Sequence, residues 1–257
     1  IMEKLLVSPS PHIHGKENTA RIMRDVLIAL SPTVLVSIWF FGLSAIKLIA
    51  VGVLSSILVE FLIEKYLLKS KVTISDCSAA VTGLLLALNL PPASPWWLII
   101  IGSVVAIGVA KMTFGGLGQN LFNPALVGRV FLLVSFPVIM TTWTVPQPWL
   151  SGVTDAFSGA TPLGVIKEGL ARGETVQQIV AAHNLSFGQM FFARMGGSMG
   201  EISAVAILIG FIYLLVRRVI KPHIPVAILC TIAAFSAILC GVDSSHYTDP
   251  LFNLVSG

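Results

Sequence analysis

Long apolar runs separated by short charged clusters organise the chain. Runs at about 25–41 and 44–63 are each near the roughly 20 residues that cross a bilayer core, and a membrane span tolerates Pro32 inside the first. Lys65, Lys69 and Lys71 follow the second run. A third run, Cys77 to Leu90, has only about 14 residues before Pro91-Pro92, which predicts a half-span or broken helix. Pro95-Trp96-Trp97 anchors a fourth run that ends near Lys111, and a fifth extends from about Leu121 to Trp143. Two more, from about Ile202 to Arg217-Arg218 and from about Ile224 to Val242, bring the expectation to about seven passes.

Composition agrees with that pattern. Hydrophobic residues make up 55% of the 257 and charged residues 11%, too few to clothe a water-soluble globule. The net charge of +4 comes from basic clusters between apolar runs, the mark of cytoplasmic loops, so nucleic acid is excluded as a partner and a lipid bilayer is implied. Cys77, Cys230 and Cys240 sit in apolar stretches without metal-ligand spacing and read as small core hydrophobes; no metal site is expected. Residues 1–24 carry Lys4, Lys16, Arg21 and Arg24 without a signal-peptide core and are expected to stay in the cytoplasm. With the basic clusters inside, 25–141 form a first membrane half, 142–187 an external loop, and 188–257 the start of a second half with a polar tail after Val242.

Two glycine segments lead into spans. Phe114-Gly115-Gly116-Leu117-Gly118-Gln119-Asn120 recurs loosely as Met195-Gly196-Gly197-Ser198-Met199-Gly200-Glu201, which suits either an inverted repeat or close helix packing. In the external loop Thr161 precedes Pro162 and a modestly helical stretch, so it reads as a helix N-cap with proline at the first helical position. Such an end offers free N–H groups and the positive end of the helix dipole to a phosphate. Asp76 opens the third run and is expected to cap it.

Asp155-Ala156-Phe157-Ser158-Gly159-Ala160-Thr161 resembles the flavinylation motif of a membrane family that pairs the D component of the Rnf complex with the B component of the sodium-pumping NADH:quinone oxidoreductase. Ser8-Pro9-Ser10-Pro11-His12-Ile13-His14, Gly115 to Ala125, and Gly196 to Ser203 are similar to further motifs of that family in the same order; SPSPHIH favours the Rnf member. The resemblance implies an all-α, inverted-repeat bundle like that of urea channels, with two or three more spans after a stretch like Thr248-Asp249-Pro250. It also implies FMN joined to Thr161 through a phosphoester. Asp155 and Ser158 would then belong to the motif read by an exported flavin transferase, and Gly159 and Ala160 would keep the backbone open to it.

Asn120, Asn123 and Arg129 fall near one another at the start of the fifth run as flavin contacts; the alternatives are capping for the asparagines and carbonyl bonding for the arginine. Trp149 would shield the ring or anchor the interface. Glu201 stands at the break of an apolar helix pair, where it serves ion passage, caps the glycine segment or pairs with Arg194. His12 and His14 suit a docking strand better than a metal site. The resulting expectation is a membrane component of an ion-translocating ferredoxin:NAD oxidoreductase in the bacterial inner membrane, moving Na+ or H+. Its partner subunits would carry iron-sulfur clusters, FMN and the NAD site, and riboflavin would be a second flavin. A urea-channel-like pore for a small polar solute is the alternative.

Overall fold

A computed structural model describes residues 18–69, 72–146, 159, 161–183, 196–243 and 246–256. It is helical throughout the described residues, apart from turns and connecting segments. Among these residues three helices are long and apolar enough to cross a membrane: α1 (Thr19–Phe41), α2 (Leu43–Leu62), which continues through π-helical turns to Leu67, and α10 (His223–Val242). Four shorter apolar helices stand among them: α3 (Ser78–Leu88), α4 (Trp96–Ser103, continuing as π-helix to Met112), α5 (Pro124–Ser135) and α9 (Ala204–Val216). Short helices α6 (Pro137–Thr141), α7 (Pro162–Ala171), α8 (Val176–Ala182) and α11 (Pro250–Ser256) complete the order. The chain is a multi-pass membrane protein.

Glycines set the closest helix crossings, because lipid offers no hydrophobic drive between helices and close backbone approach supplies the packing instead. A Cβ on Gly83 of α3 would collide with the Gly52 carbonyl of α2, and one on Gly210 of α9 with the Ala29 carbonyl of α1. Gly128 of α5 crosses α4 at Gly102, where an added Cβ would lie 2.9 Å from the Gly102 oxygen.

Ten residues of α4 and its π-helical continuation follow Gly102 to Met112, whereas only four lie between the start of α5 and Gly128. The fifth apolar run does not begin a helix at Leu121: residues 113–123 form turns and bends, most of them exposed, and α5 starts only at Pro124. The same run breaks at Phe136-Pro137 instead of continuing to Trp143, and Phe136 packs edge-on against Trp97 at 5.4 Å. Short α3 matches its expected half-span.

Among the described residues, two hydrogen-bonded ion pairs tie elements far apart in sequence. Asp25 of α1 accepts from Arg217 at the end of α9 (Nη2 to Oδ2, 3.1 Å) and from Tyr213 (3.2 Å), so α1 and α9 run antiparallel. Lys111 donates to both oxygens of Glu60 on α2 (2.7 and 2.9 Å) and to Ser78 Oγ at the head of α3 (2.6 Å). Both members of the second pair are almost fully buried, at 2% and 1% side-chain exposure. Ser78 in turn donates from N and Oγ to Asp76 Oδ1 (2.8 and 2.7 Å), so Asp76 caps α3 as its sequence position suggests. Nearby, Glu64 accepts from Thr73 through its backbone N–H and its hydroxyl.

The cysteines correct their sequence reading. Cys230 is exposed on α10 and Cys77 and Cys240 are partly exposed, because an apolar run in a membrane protein faces lipid as readily as protein. The polar tail also differs from expectation: it folds back as α11, where Asn253 donates to Ser236 of α10 (3.1 Å) and Phe252 packs with Ile166, Val176 and Ile179 of α7 and α8.

Removing one member of the buried pair leaves a charge unpaired in an apolar surrounding. Lys111→Met should destabilise the detergent-solubilised protein by about 3–5 kcal/mol, and adding Glu60→Gln should restore much of the loss. Thermal loss of monodispersity, compared across the single and double variants, checks both.

Candidate functional site

The second glycine segment is pinned against the C-terminal end of α3. Met199 N–H donates to Leu90 O (3.3 Å) and Gly200 N–H to Leu88 O (2.7 Å), while Ser37 of α1 donates to Met199 O (2.6 Å). These bonds satisfy carbonyls that a helix ending inside a membrane would otherwise leave unpaired. Ser198 N–H reaches Glu201 Oε2 at 3.3 Å, so Glu201 does cap its own segment. At the start of α9 the Ser203 hydroxyl accepts from Ala206 N–H at 3.4 Å.

Three polar side chains meet beside that junction. Arg129 of α5 donates from Nη1 to Asn89 Oδ1 at 2.8 Å, and the same nitrogen lies 3.9 Å from Glu201 Oε1. Asn89 donates in turn to Leu85 O at 2.8 Å, closing the last turn of α3. Asn89, Ser198, Gly200 and Glu201 line one end of a mostly apolar groove of about 440 Å³, whose walls are α1, α3 and α9.

Glu201 differs from its sequence reading in burial. Its side chain is 56% exposed, whereas Glu60, Glu64 and Asp25 are the deeply buried carboxylates of the described residues. Its described partner is Arg129; Arg194 lies outside the described residues. Asn89 was missed, although its place at the end of the short third run, just before Leu90-Pro91-Pro92, marks the point where a broken helix needs a polar cap. Glu60 and Lys111 were missed as a pair because nothing in their 51-residue separation signals contact.

Asn123 is the N-cap of α5, its side chain accepting from Ala125 N–H at 3.0 Å. Asn120 Oδ1 is buried without a hydrogen-bond partner. Arg129 bonds Asn89 rather than either of these asparagines, one of the two roles its position allowed being carbonyl bonding. Thr161 caps α7, its Oγ1 accepting from Gly164 N–H at 3.1 Å, with Pro162 at the first helical position. Gly159 N–H donates to Trp143 O at 2.9 Å, which tethers Thr161 beyond the end of α5 opposite to Asn123. Among the described residues, Asn120 and Asn123 stand at the start of α5, Arg129 lies within it, and Thr161 is tied beyond its far end. Trp149, Asp155, Ser158 and Ala160 lie outside the described residues, as do His12 and His14.

The chain matches the NQR2, RnfD, RnfE family over residues 6–257. It is 46% identical over 255 residues to the D component of the Na(+)-translocating ferredoxin:NAD(+) oxidoreductase complex of Acetobacterium woodii, covering 98% of this chain and 73% of that protein. It is 38% identical over 251 residues to the D component of the proton-translocating ferredoxin:NAD(+) oxidoreductase complex of Clostridium ljungdahlii, covering 98% and 74%. The D component of an ion-translocating oxidoreductase complex of Stutzerimonas stutzeri is 38% identical over 259 residues, covering 94% and 73%. The chain therefore belongs to the NQR2, RnfD, RnfE family.

The antiparallel pairing of α1 with α9 brings the ends near Lys69 and Lys221 to one end of the helical bundle, and the contacts of α11 with α7, α8 and the later part of α10 bring the loop helices to the other. Cysteines introduced at Lys69 and Lys221 should react with an impermeant thiol reagent from one side, and a cysteine at His183 from the opposite side. Labelling of all three from the same side would break the antiparallel arrangement.

Proposed function

We propose that this family member is the flavin-bearing membrane component of a redox-driven ion pump. The pump passes electrons between reduced ferredoxin and NAD while Na+ or H+ crosses, with FMN esterified through its phosphate to Thr161. The relatives' names support the ferredoxin:NAD reaction and ion translocation. A passive solute pore is set aside because those relatives are oxidoreductase subunits. Partner subunits would hold the iron-sulfur clusters, a further FMN and the NAD site.

One observation carries the assignment of the attachment residue. Thr161 presents a hydroxyl at the N-terminus of the ten-residue helix α7. That position fits a phosphoester, because the first-turn N–H groups and the positive helix end favour the phosphate's negative charge. Basic residues mark the cytoplasmic side in a bacterial inner membrane, so Thr161 would face outward, within reach of an exported flavin transferase. Asp155, Ser158, Gly159 and Ala160 would form the sequence read by that transferase, and Trp149 would shield the ring.

A covalently held FMN supplies a one- and two-electron carrier. Asn120 and Asn123, at the other end of α5, are better assigned to a second flavin such as riboflavin, and the unpartnered Asn120 Oδ1 supports this as an acceptor for a ring N–H. Arg129, a turn and a half into α5, would favour the reduced, anionic form of that same ring. Glu201, half exposed on the groove, would serve the ion path.

Thr161→Ala should abolish in-gel flavin fluorescence of the denatured chain while the folded protein persists, since a helix cap is worth about 1 kcal/mol. Thr161→Ser, which keeps a hydroxyl, should retain part of the signal. A fluorescent alanine variant would move the attachment site elsewhere.

A further inference from the structure

Asn89, Arg129 and Glu201 come from three elements: the end of α3, the body of α5 and the second glycine segment. Arg129 Nη1 makes a full hydrogen bond to the neutral amide, at 2.8 Å, and only a loose ion pair with the carboxylate, at 3.9 Å. The inequality runs against intrinsic preference, because a guanidinium binds a carboxylate more strongly than an amide oxygen. Asn89 wins by placement. Its Nδ2 is bonded to Leu85 O at 2.8 Å, which aims Oδ1 at the arginine. Glu201, which lines the groove, has its Oε2 held by Ser198 N–H, so Oε1 is the oxygen that Arg129 approaches without bonding. The contrast with Glu60 is direct: there Lys111 reaches both carboxylate oxygens within hydrogen-bond distance and closes the pair.

We propose that Asn89 is a positioning residue that holds Arg129 back from Glu201 and so leaves the Glu201 carboxylate free to take up a small cation from the groove. This rests on the reading of Glu201 as a station on the ion path. A cation arriving at Oε1 competes with the guanidinium for the same oxygen. The affinity of the site therefore depends on how firmly Arg129 is held elsewhere, and Asn89 is what holds it. A hydrated alkali ion and a proton obey the same competition, so the two are separated by titration.

The test uses the complete membrane complex in proteoliposomes, with initial charge movement titrated by Na+ at fixed pH and by pH at fixed Na+. Asn89→Leu removes the neutral partner and lets Arg129 close on Glu201. The half-saturating concentration of whichever cation drives the wild type should rise about two- to fivefold, the range expected for a partly exposed ion pair, with the maximal rate kept. Asn89→Asp, nearly the same shape, draws Arg129 away with a full charge, and half-saturation should fall by a similar factor. A purely structural Asn89 would give reduced assembly or rate in both variants with half-saturation unchanged, and that result overturns the proposal. Glu201→Gln separates the two ideas. If it leaves half-saturation untouched, the ion role of Glu201 fails and the positioning role with it. If it shifts half-saturation while the Asn89 variants do not, the positioning role alone fails.

Discussion

A helix that stops inside a membrane must hand its unpaired backbone groups to another part of the protein, since no water is there to receive them. The C-terminal end of α3 meets this demand through the second glycine segment, whose Met199 and Gly200 N–H groups bond the Leu90 and Leu88 carbonyls. Much else follows from that junction. An added Cβ at Gly200 would lie 3.1 Å from both Leu88 Cβ and Leu88 O, so the residue there must be small. Ser37 of α1 must reach Met199 O, which places α1 alongside the junction, and the Asp25–Arg217 pair then fixes α9 against α1. The groove is the space these constraints leave between α1, α3 and α9.

The opposite end of α3 solves a related problem with charge. Ser78 bonds Asp76 and receives Lys111, and Lys111 is neutralised by Glu60, so one network joins α2, α3 and the π-helical end of α4. Burying such a pair gains little over an apolar one, but it forbids other registers, because any slide of α4 along α2 would strand two charges. The π-helical turns before Met112 fit that role, since the extra residue in each turn alters the direction in which Lys111 leaves the helix. A half-helix fixed at both ends by different chemistry is a rigid floor for whatever occupies the groove.

The sequence carried some of this plainly and some of it not at all. Thr161 as a cap was readable because threonine before proline has a local meaning that tertiary contacts did not override. The shortness of α3 was readable from length, as was the cap at Asp76. The late start of α5 was not, since Leu121 and Phe122 are as apolar as the helix that follows, and hydropathy records transfer to lipid rather than backbone conformation. The exposed Cys230 shows the same blindness in another form: along α10, where Ser236 is the buried residue, an apolar side chain says nothing about whether its neighbour is protein or lipid. Long-range pairs such as Glu60 with Lys111 and Arg129 with Asn89 have no local signature, and only the fold brings them together.

Charged groups are scarce in this chain, and the described ones inside the bundle differ in a way that bears on function. Glu60 and Lys111 are buried and bonded to each other through both carboxylate oxygens, and Lys111 is also bonded to Ser78, so a ligand on either would disturb the network around α3. Glu201 is half open and lines the end of a groove, and Arg129 beside it is shared unequally between that carboxylate and a neutral amide. A transported ion has to bind and then leave, which a closely bonded pair resists and a loose one permits. Burial alone would direct attention to Glu60. The geometry of sharing directs it to Glu201, because an acceptor oxygen that is near a cationic side chain yet not bonded to it can exchange one positive partner for another at small cost.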